Sequence, residues 1–391
     1  MHPLQGNKKA AKLEGLQVLR GVAALLVVWC HLGFTPAQVS RTFLVSSDLG
    51  AIGVDIFFVI SGFVIAMTAE NIGNDWKTFL AQRFARIVPL YYLLSGYVLL
   101  LMLVSSHSTG MLNALSLGNL FNSFAFVPLL DLTRFSRPVS PNGWTLSFEM
   151  WFYLCFAGLI WFRGGKLAGK LLPVLMIAGV AVIFAFYHWT WFLPKFLFNP
   201  LALEFCAGCV LFQARNLIGR RAFWLLAVGA LTSLYFAAQA SSLSSFMEIL
   251  DDRWLALHRA FIWGGFAICT VGMVIHFDLK RALGWPKSLL LLGDASYSIY
   301  LFSPVVMWTV GGILHRINRS MGHEYFVLTP ISIAFIYIPG SVVGGILLWK
   351  YFEVPVTRAT KTMLLRWVQK KPDASLIPKA SVVCPATTNP E

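Results

Sequence analysis

Charge is scarce in this chain. Only 12% of its 391 residues are Asp, Glu, Lys or Arg, against about 25% in soluble domains. That shortage excludes a protein with a solvated surface all round and leaves little room for a separate soluble domain. Six cysteines are present, five of them (Cys30, Cys155, Cys206, Cys209 and Cys269) inside apolar runs and Cys384 near the end. No paired extracellular framework is visible, so no structural disulfide is expected. Cys206 and Cys209 form a CxxC in LEFCAGCVLF, where small residues at a helix contact account for the spacing better than a redox pair. The histidines apart from His31 (His2, His107, His188, His258, His276, His315 and His323) fall in loops or at the ends of apolar runs. None has metal-ligand spacing to a second His, Cys or carboxylate, so no metal site is expected. A Gly-rich phosphate loop and an internal repeat are also missing. The first apolar stretch has no small-residue cleavage site after it and is read as a retained helix.

What fills the chain is hydrophobic sequence, 57% of residues, with a mean hydropathy of +0.69. Ten runs are long enough to cross or nearly cross a bilayer: 16–34, 50–68, 88–105, 146–162, 171–187, 200–214, 222–238, 259–276, 289–311 and 326–349. The expected fold class is all-α, a polytopic integral membrane bundle of about ten transmembrane helices. Residues 111–130 are apolar but interrupted by Gly, Asn and Pro, and read as a re-entrant or interfacial segment. With the N-terminus inside, the inner segments carry 22 Lys and Arg and the outer loops 8, Arg259 among the latter. Cytoplasmic loops collect basic residues, so both termini are expected in the cytoplasm of a multi-pass protein of the plasma membrane. The net charge of +14 then follows from topology, and no nucleic-acid partner is implied. Residues 1–355 read as the membrane domain and 356–391 as a basic cytoplasmic tail. In that tail, 357–371 suit the lipids of the inner leaflet and 372–391, with Pro372, Pro378, Pro385 and Pro390, are expected to be disordered.

The stretch 16–34, LQVLRGVAALLVVWCHLGF, carries Arg20 near one end and His31 near the other. Eleven residues of helix turn through about 1100° and rise about 16 Å, so both side chains share one face. Ionisable groups inside a membrane helix are costly and mark function by default. Two readings stay open: a site, or a snorkelling arginine and a histidine bonded to a neighbouring helix. Asp55 in GVDIFFVISGF, and Trp144, Ser147 and Glu149 in GWTLSFEMWFYL, belong to the outer halves of their spans. A carboxylate beside His31 would orient the ring and stabilise an imidazolium, as general bases of acyl transfer require. Otherwise Asp55 and Glu149 cap helix N-termini or pair with an arginine. Arg83 and Arg86 in FLAQRFARIVPLYY lie three residues apart on one helical face, where they would clamp phosphate or anchor the cytoplasmic side. Tyr297 and Tyr300 in SYSIYLFSP share a face of the ninth span and suit helix packing. Phe57, Phe58 and Phe63 are candidates for shaping an acyl pocket.

Taken together and in this order, LQVLRGVAALLVVWCH, GVDIFFVISGF, FLAQRFARIVPLYY, GWTLSFEMWFYL, LGDASYSIYL and YFEVP resemble the bacterial membrane-bound acyltransferase 3 family. The first-helix Arg and His with the GWTLSFE stretch look most like its exopolysaccharide (succinoglycan-type) O-acetyltransferase branch. The resemblance covers residues 16 to about 355. It implies a ten-helix fold that takes acetyl groups from acetyl-CoA, a donor substrate with no resident cofactor, to hydroxyls of a glycan or lipid-linked oligosaccharide. Polysaccharide assembly proteins would be its neighbours. By motif match, His31 would be the essential histidine, Arg20 its first-helix arginine, and Arg83 and Arg86 the family's basic pair. Glu149 would be the acidic residue after the WTLS-type stretch, with Asp55 a second carboxylate for the ring. Acetyl-CoA binding would fall to Arg20, Arg83 and Arg86, with Trp144, Ser147, Tyr297 and Tyr300 in support. Many relatives carry a histidine shortly after the SYSIYL-type motif, where this chain reads Phe302-Ser303-Pro304. A hydroxyl there is expected to bond back to its own helix rather than move protons. The competing classes are a polytopic transporter without chemistry, or the same fold using succinyl or another acyl donor.

Overall fold

The computed structural model describes residues 13–32, 48–105, 116–127, 138–186, 192–240, 250, 252–280, 284–321 and 330–369. The expected disorder of 372–391 therefore lies outside the described residues. Among the described residues fourteen α-helices follow in order: α1 (Glu14–His31), α2 (Ile52–Ala69), α3 (Trp76–Ser105), α4 (Leu117–Phe124), α5 (Gly143–Arg163), α6 (Gly165–Ala185), α7 (Phe192–Leu197), α8 (Ala202–Ala214), α9 (Arg220–Gln239), α10 (Arg253–Lys280), α11 (Lys287–Asp294), α12 (Ser296–Met321), α13 (Pro330–Leu348) and α14 (Val354–Gln369). A 3₁₀ turn, Asp48–Ala51, leads into α2, and a π-helical turn, Trp349–Glu353, joins α13 to α14. Lipid leaves a backbone no partner but itself, which is why apolar runs of this length settle as helices.

Among the described residues nine helices are long and apolar enough to span a membrane, and a tenth is counted if the bent pair α11 and α12 forms one span. The protein is a multi-pass membrane protein. Four expected boundaries shift. The run 289–311 is not one straight helix: α11 and α12 meet at Ala295 at an angle of 67°. The bend falls where Gly293 presses on the backbone of Gln17 and where Gly21 presses back on Gly293. The third span starts twelve residues early, so Arg83 and Arg86, expected on one helical face just before it, sit inside α3. Arg259, expected in an outer loop, is buried within α10. Helix continues through residues 349–369, and α14 packs along α3, so the expected domain boundary at 355 falls inside a helix. The interrupted segment 111–130 contains α4, eight residues long, far short of the ~20 needed to span.

Of the spanning helices α2 is the most enclosed and α9 the least. The enclosure of α2 has a backbone cause. A Cβ on Gly62 would collide with the carbonyl of Phe205 in α8, and one on Gly208 of α8 with the carbonyl of Val59 in α2. Such mutual glycines let two helices touch backbone to backbone, the usual basis of close packing without a hydrophobic driving force. Gly53 does the same against Ala23 of α1. Cys209 belongs to this contact and donates Sγ–H to the Gly62 carbonyl at 3.4 Å. Around α2 stand α1, α8 and α10, while α3 and α5 pack together beside it and α12 lies between α1 and α13.

Candidate active site

Helices α1, α2, α3, α5 and α12 converge on a cavity of about 100 Å³. Its wall includes Arg20, Ser61, Arg83, Arg86, Thr145, Glu149, Tyr153, Tyr297 and Tyr300, backed by Phe57 and Phe58. The sequence places these groups hundreds of residues apart, and only the crossing of five helices joins them. Glu149 is the seventh residue of α5, beyond the first turn where a capping carboxylate would serve. Its Oε1 accepts from Ser61 Oγ at 3.0 Å and from the Tyr153 hydroxyl. The capping alternative for Glu149 is thereby removed.

Three guanidinium groups share the cavity. Arg83 donates Nη2–H to Thr68 Oγ1 at 2.9 Å, and its plane lies over Phe79 and Tyr153, with centroids at 5.3 and 5.7 Å. Its buried Nε has no hydrogen-bond partner among the described residues. Arg86 lies over the Tyr297 ring at 5.9 Å. Arg20 is within electrostatic reach of Arg86, Glu353 and Glu149. Glu353 reaches this region because the π-helical turn ending α13 rotates it inward, where it accepts from Ser298 Oγ at 2.6 Å. π-Bulges of this kind cluster at functional sites. Three arginines facing two carboxylates leave an excess of positive charge in a low-dielectric pocket. Together with an unpartnered guanidinium N–H, that excess suits an anionic ligand.

His31, half-buried at the last turn of α1, is not on the cavity wall. A short polar bridge connects them. Tyr300 lines the cavity, and its hydroxyl is 2.7 Å from Thr145 Oγ1. Its backbone carbonyl accepts from Asn142 Nδ2 at 2.6 Å and from Ser303 Oγ at 3.1 Å. Asn142 and Ser303 in turn both reach the His31 ring. Thus Tyr297 and Tyr300, expected as packing residues, do more than pack. Tyr297 fixes the carbonyl of Ile87 in α3 at 2.8 Å, and Tyr300 forms the wall between cavity and histidine. Trp144 is buried edge-on to Phe148, and Ser147 donates to the Gly143 carbonyl of its own helix at 3.2 Å. Neither lines the cavity.

Of the two readings open for Asp55, the structure shows the pairing with an arginine. Its Oδ1 and Oδ2 accept from Arg259 Nε and Nη2 at 3.0 and 2.7 Å, a bidentate pair in which both side chains are 1% exposed. Arg259 also donates to the Ala51 carbonyl and stacks 4.5 Å above Trp263, and Glu204 of α8 lies against Asp55. A carboxylate with both oxygens gripped by a guanidinium holds helices together and is poorly placed to steady an imidazolium. Sequence reasoning missed Arg259, Glu204, Glu353, Ser61, Tyr153 and Asn142. The first two carried a signal, a lone charge in an apolar run. Ser61, Tyr153 and Glu353 lie within the GVDIFFVISGF, GWTLSFEMWFYL and YFEVP stretches, which marked the segments but not these residues, and Asn142 becomes visible only through the packing. Among the described residues no group of three His, Cys, Asp or Glu could hold a metal ion.

A profile described as an acyltransferase domain matches residues 13–350. The chain belongs to this acyltransferase 3 family of membrane proteins, and it is an O-acyltransferase. It is 34% identical over 272 residues to the exopolysaccharide production protein ExoZ of Rhizobium meliloti, a match covering 65% of this chain and 75% of that one. Nodulation protein 10 of Rhizobium leguminosarum is 26% identical over 370 residues, 86% of this chain and 90% of that one. The peptidoglycan O-acetyltransferase OatA of Listeria monocytogenes is 24% identical over 386 residues, 89% of this chain and 58% of its own length. No solved structure gives a significant match.

Proposed function

We propose that the protein moves an acetyl group from acetyl-CoA to a hydroxyl of an exopolysaccharide or another cell-surface glycan, a lipid-linked precursor included, in the bacterial inner membrane. One observation carries this: a buried cavity with surplus arginine charge, joined by the Tyr300–Asn142–Ser303 bridge to a histidine at the end of α1. Coenzyme A has phosphates at one end and a thioester at the other. Arg83 and Arg86, with Arg20 behind them, hold the anionic part, and the pantetheine arm extends along Tyr300 toward His31. His31 takes the proton of the acceptor hydroxyl. The acceptor oxygen bonds to the thioester carbonyl carbon, the C–S bond breaks, and the proton returns to the departing thiolate. Glu149, fixed by Ser61 and Tyr153, holds the arginine cluster in register. ExoZ, an exopolysaccharide production protein, and OatA, a peptidoglycan O-acetyltransferase, support a glycan acceptor.

Replacing both Arg83 and Arg86 with Gln should raise KM for acetyl-CoA at least about tenfold while the glycan KM stays put, since each lost charge-assisted bond is worth about 1.5–3 kcal/mol. An unchanged acetyl-CoA KM in a well-folded double variant would make these arginines topological anchors. The substrate itself is tested by mass spectrometry of surface polysaccharide from strains with and without the protein, where loss of acetyl mass is expected. The orientation rests on the 22-to-8 charge split, which still favours the same side once Arg259 is counted inside α10. Reporter fusions after Lys166 and Lys371 should score as cytoplasmic and those near Arg137 and Asp252 as external. A cytoplasmic score at Arg137 overturns it.

A further inference from the structure

A serine–proline pair in α12, Ser303 and Pro304, stands beside His31. Residue 304 is a proline within the helix, so the carbonyl of Tyr300, four residues earlier, has no backbone N–H to accept from. Side chains replace that donor: Asn142 Nδ2 at 2.6 Å and Ser303 Oγ at 3.1 Å. A serine hydroxyl has one hydrogen and two lone pairs, and here the hydrogen is committed to Tyr300. Ser303 is fully buried, so water does not compete for its oxygen. Its Oγ also lies 3.4 Å from His31 Nδ1. With its hydrogen directed to Tyr300, that oxygen meets the ring as an acceptor, and Asn142, whose Nδ2 likewise serves Tyr300, shares the ring with it. Tyr337 of α13, which borders Ser303, carries a hydroxyl and no charge.

We propose that Ser303, oriented by the carbonyl that Pro304 leaves open, is a positioning residue that keeps the proton of neutral His31 on Nδ1 and so places the ring's lone pair on Nε2. A ring nitrogen bonded to a fixed acceptor settles the tautomer, and the opposite nitrogen becomes the base. A serine with a committed hydrogen has a single role. The inference deepens the assignment of His31 as general base and rests on it for its catalytic meaning, though not for the tautomer itself.

The test is ¹⁵N NMR of the full-length enzyme labelled at histidine, in lipid nanodiscs near pH 8, where an ordinary imidazole is neutral. The His31 signals are identified by their loss in His31→Gln. Wild type should show the Nδ1–H form, Ser303→Ala a shift toward Nε2–H, and Ser303→Thr, which keeps the hydroxyl, the wild-type pattern. In membranes supplied with acetyl-CoA, Ser303→Ala should transfer acetyl groups to polysaccharide roughly two- to tenfold more slowly, the worth of one neutral hydrogen bond. Its KM for acetyl-CoA should not change, and Ser303→Thr should restore the rate. A wild-type ring protonated on Nε2, or an Nδ1–H form unaltered in Ser303→Ala, overturns the proposal, and the first of these needs no variant to fold. Tautomers as expected alongside an active His31→Gln would instead sink the assignment of His31 as base and leave the role of Ser303 intact.

Discussion

A His31→Gln enzyme is expected to insert and fold as the wild type does yet to transfer acetyl groups roughly 100- to 10,000-fold more slowly, the range of a lost general acid–base catalyst. Glutamine keeps hydrogen-bonding capacity toward Asn142 and Ser303, so the bridge to Tyr300 survives and the loss reports on proton transfer alone. His31→Ala should be no better. The expectation follows from position as much as residue type. His31 ends α1 about 16 Å along the helix from Arg20, so the two ends of a long donor molecule have separate anchors. An imidazole accepts a proton near neutral pH, whereas an arginine at that depth does not. Purified, folded His31→Gln with a tenth or more of wild-type turnover would make His31 a structural histidine, and Glu149 would be the next candidate.

The second large effect concerns stability. Asp55→Ala leaves the guanidinium of Arg259 buried without its bidentate partner, and stranding one member of a buried pair costs about 3–5 kcal/mol. The variant should unfold at clearly lower temperature, and Arg259→Ala should do the same. Their combination should lose less than the sum, because residues in direct contact are coupled. Activity per folded molecule should stay within about tenfold of wild type, short of the general acid–base range. An Asp55→Ala enzyme as stable as wild type but a hundredfold slower would return Asp55 to the chemistry.

The membrane bundle and its motif set were legible because long apolar runs have one solution in lipid and because charges inside them stand out. Arg20 and Glu149 were found in that way, Arg83 and Arg86 as a basic pair on one helical face, and the four meet around one cavity. The Arg259–Asp55 pair shows where the same logic stopped. Arg259 lies six residues into α10, and a basic residue so near the end of an apolar run looks like an anchor until its partner 204 positions away is seen. Hydropathy cannot report the 67° bend between α11 and α12, because both limbs are equally apolar. Nor can it report the π-helical turn that aims Glu353, since one extra residue per turn leaves composition unchanged.

The mutual glycine contacts of α2 have a kinetic consequence. A carrier that exposes a midplane site to each side in turn must let one half of the bundle rock against the other. Here the central helix is keyed to α8 through Gly62 and Gly208 and to α1 through Gly53, with carbonyl oxygens where any side chain would have to pass. Sliding α2 by even one residue would drive a Cβ into a backbone on either flank. The three helices therefore hold one fixed arrangement, and in the proposed reaction the substrates come to the site rather than the site turning between the two faces.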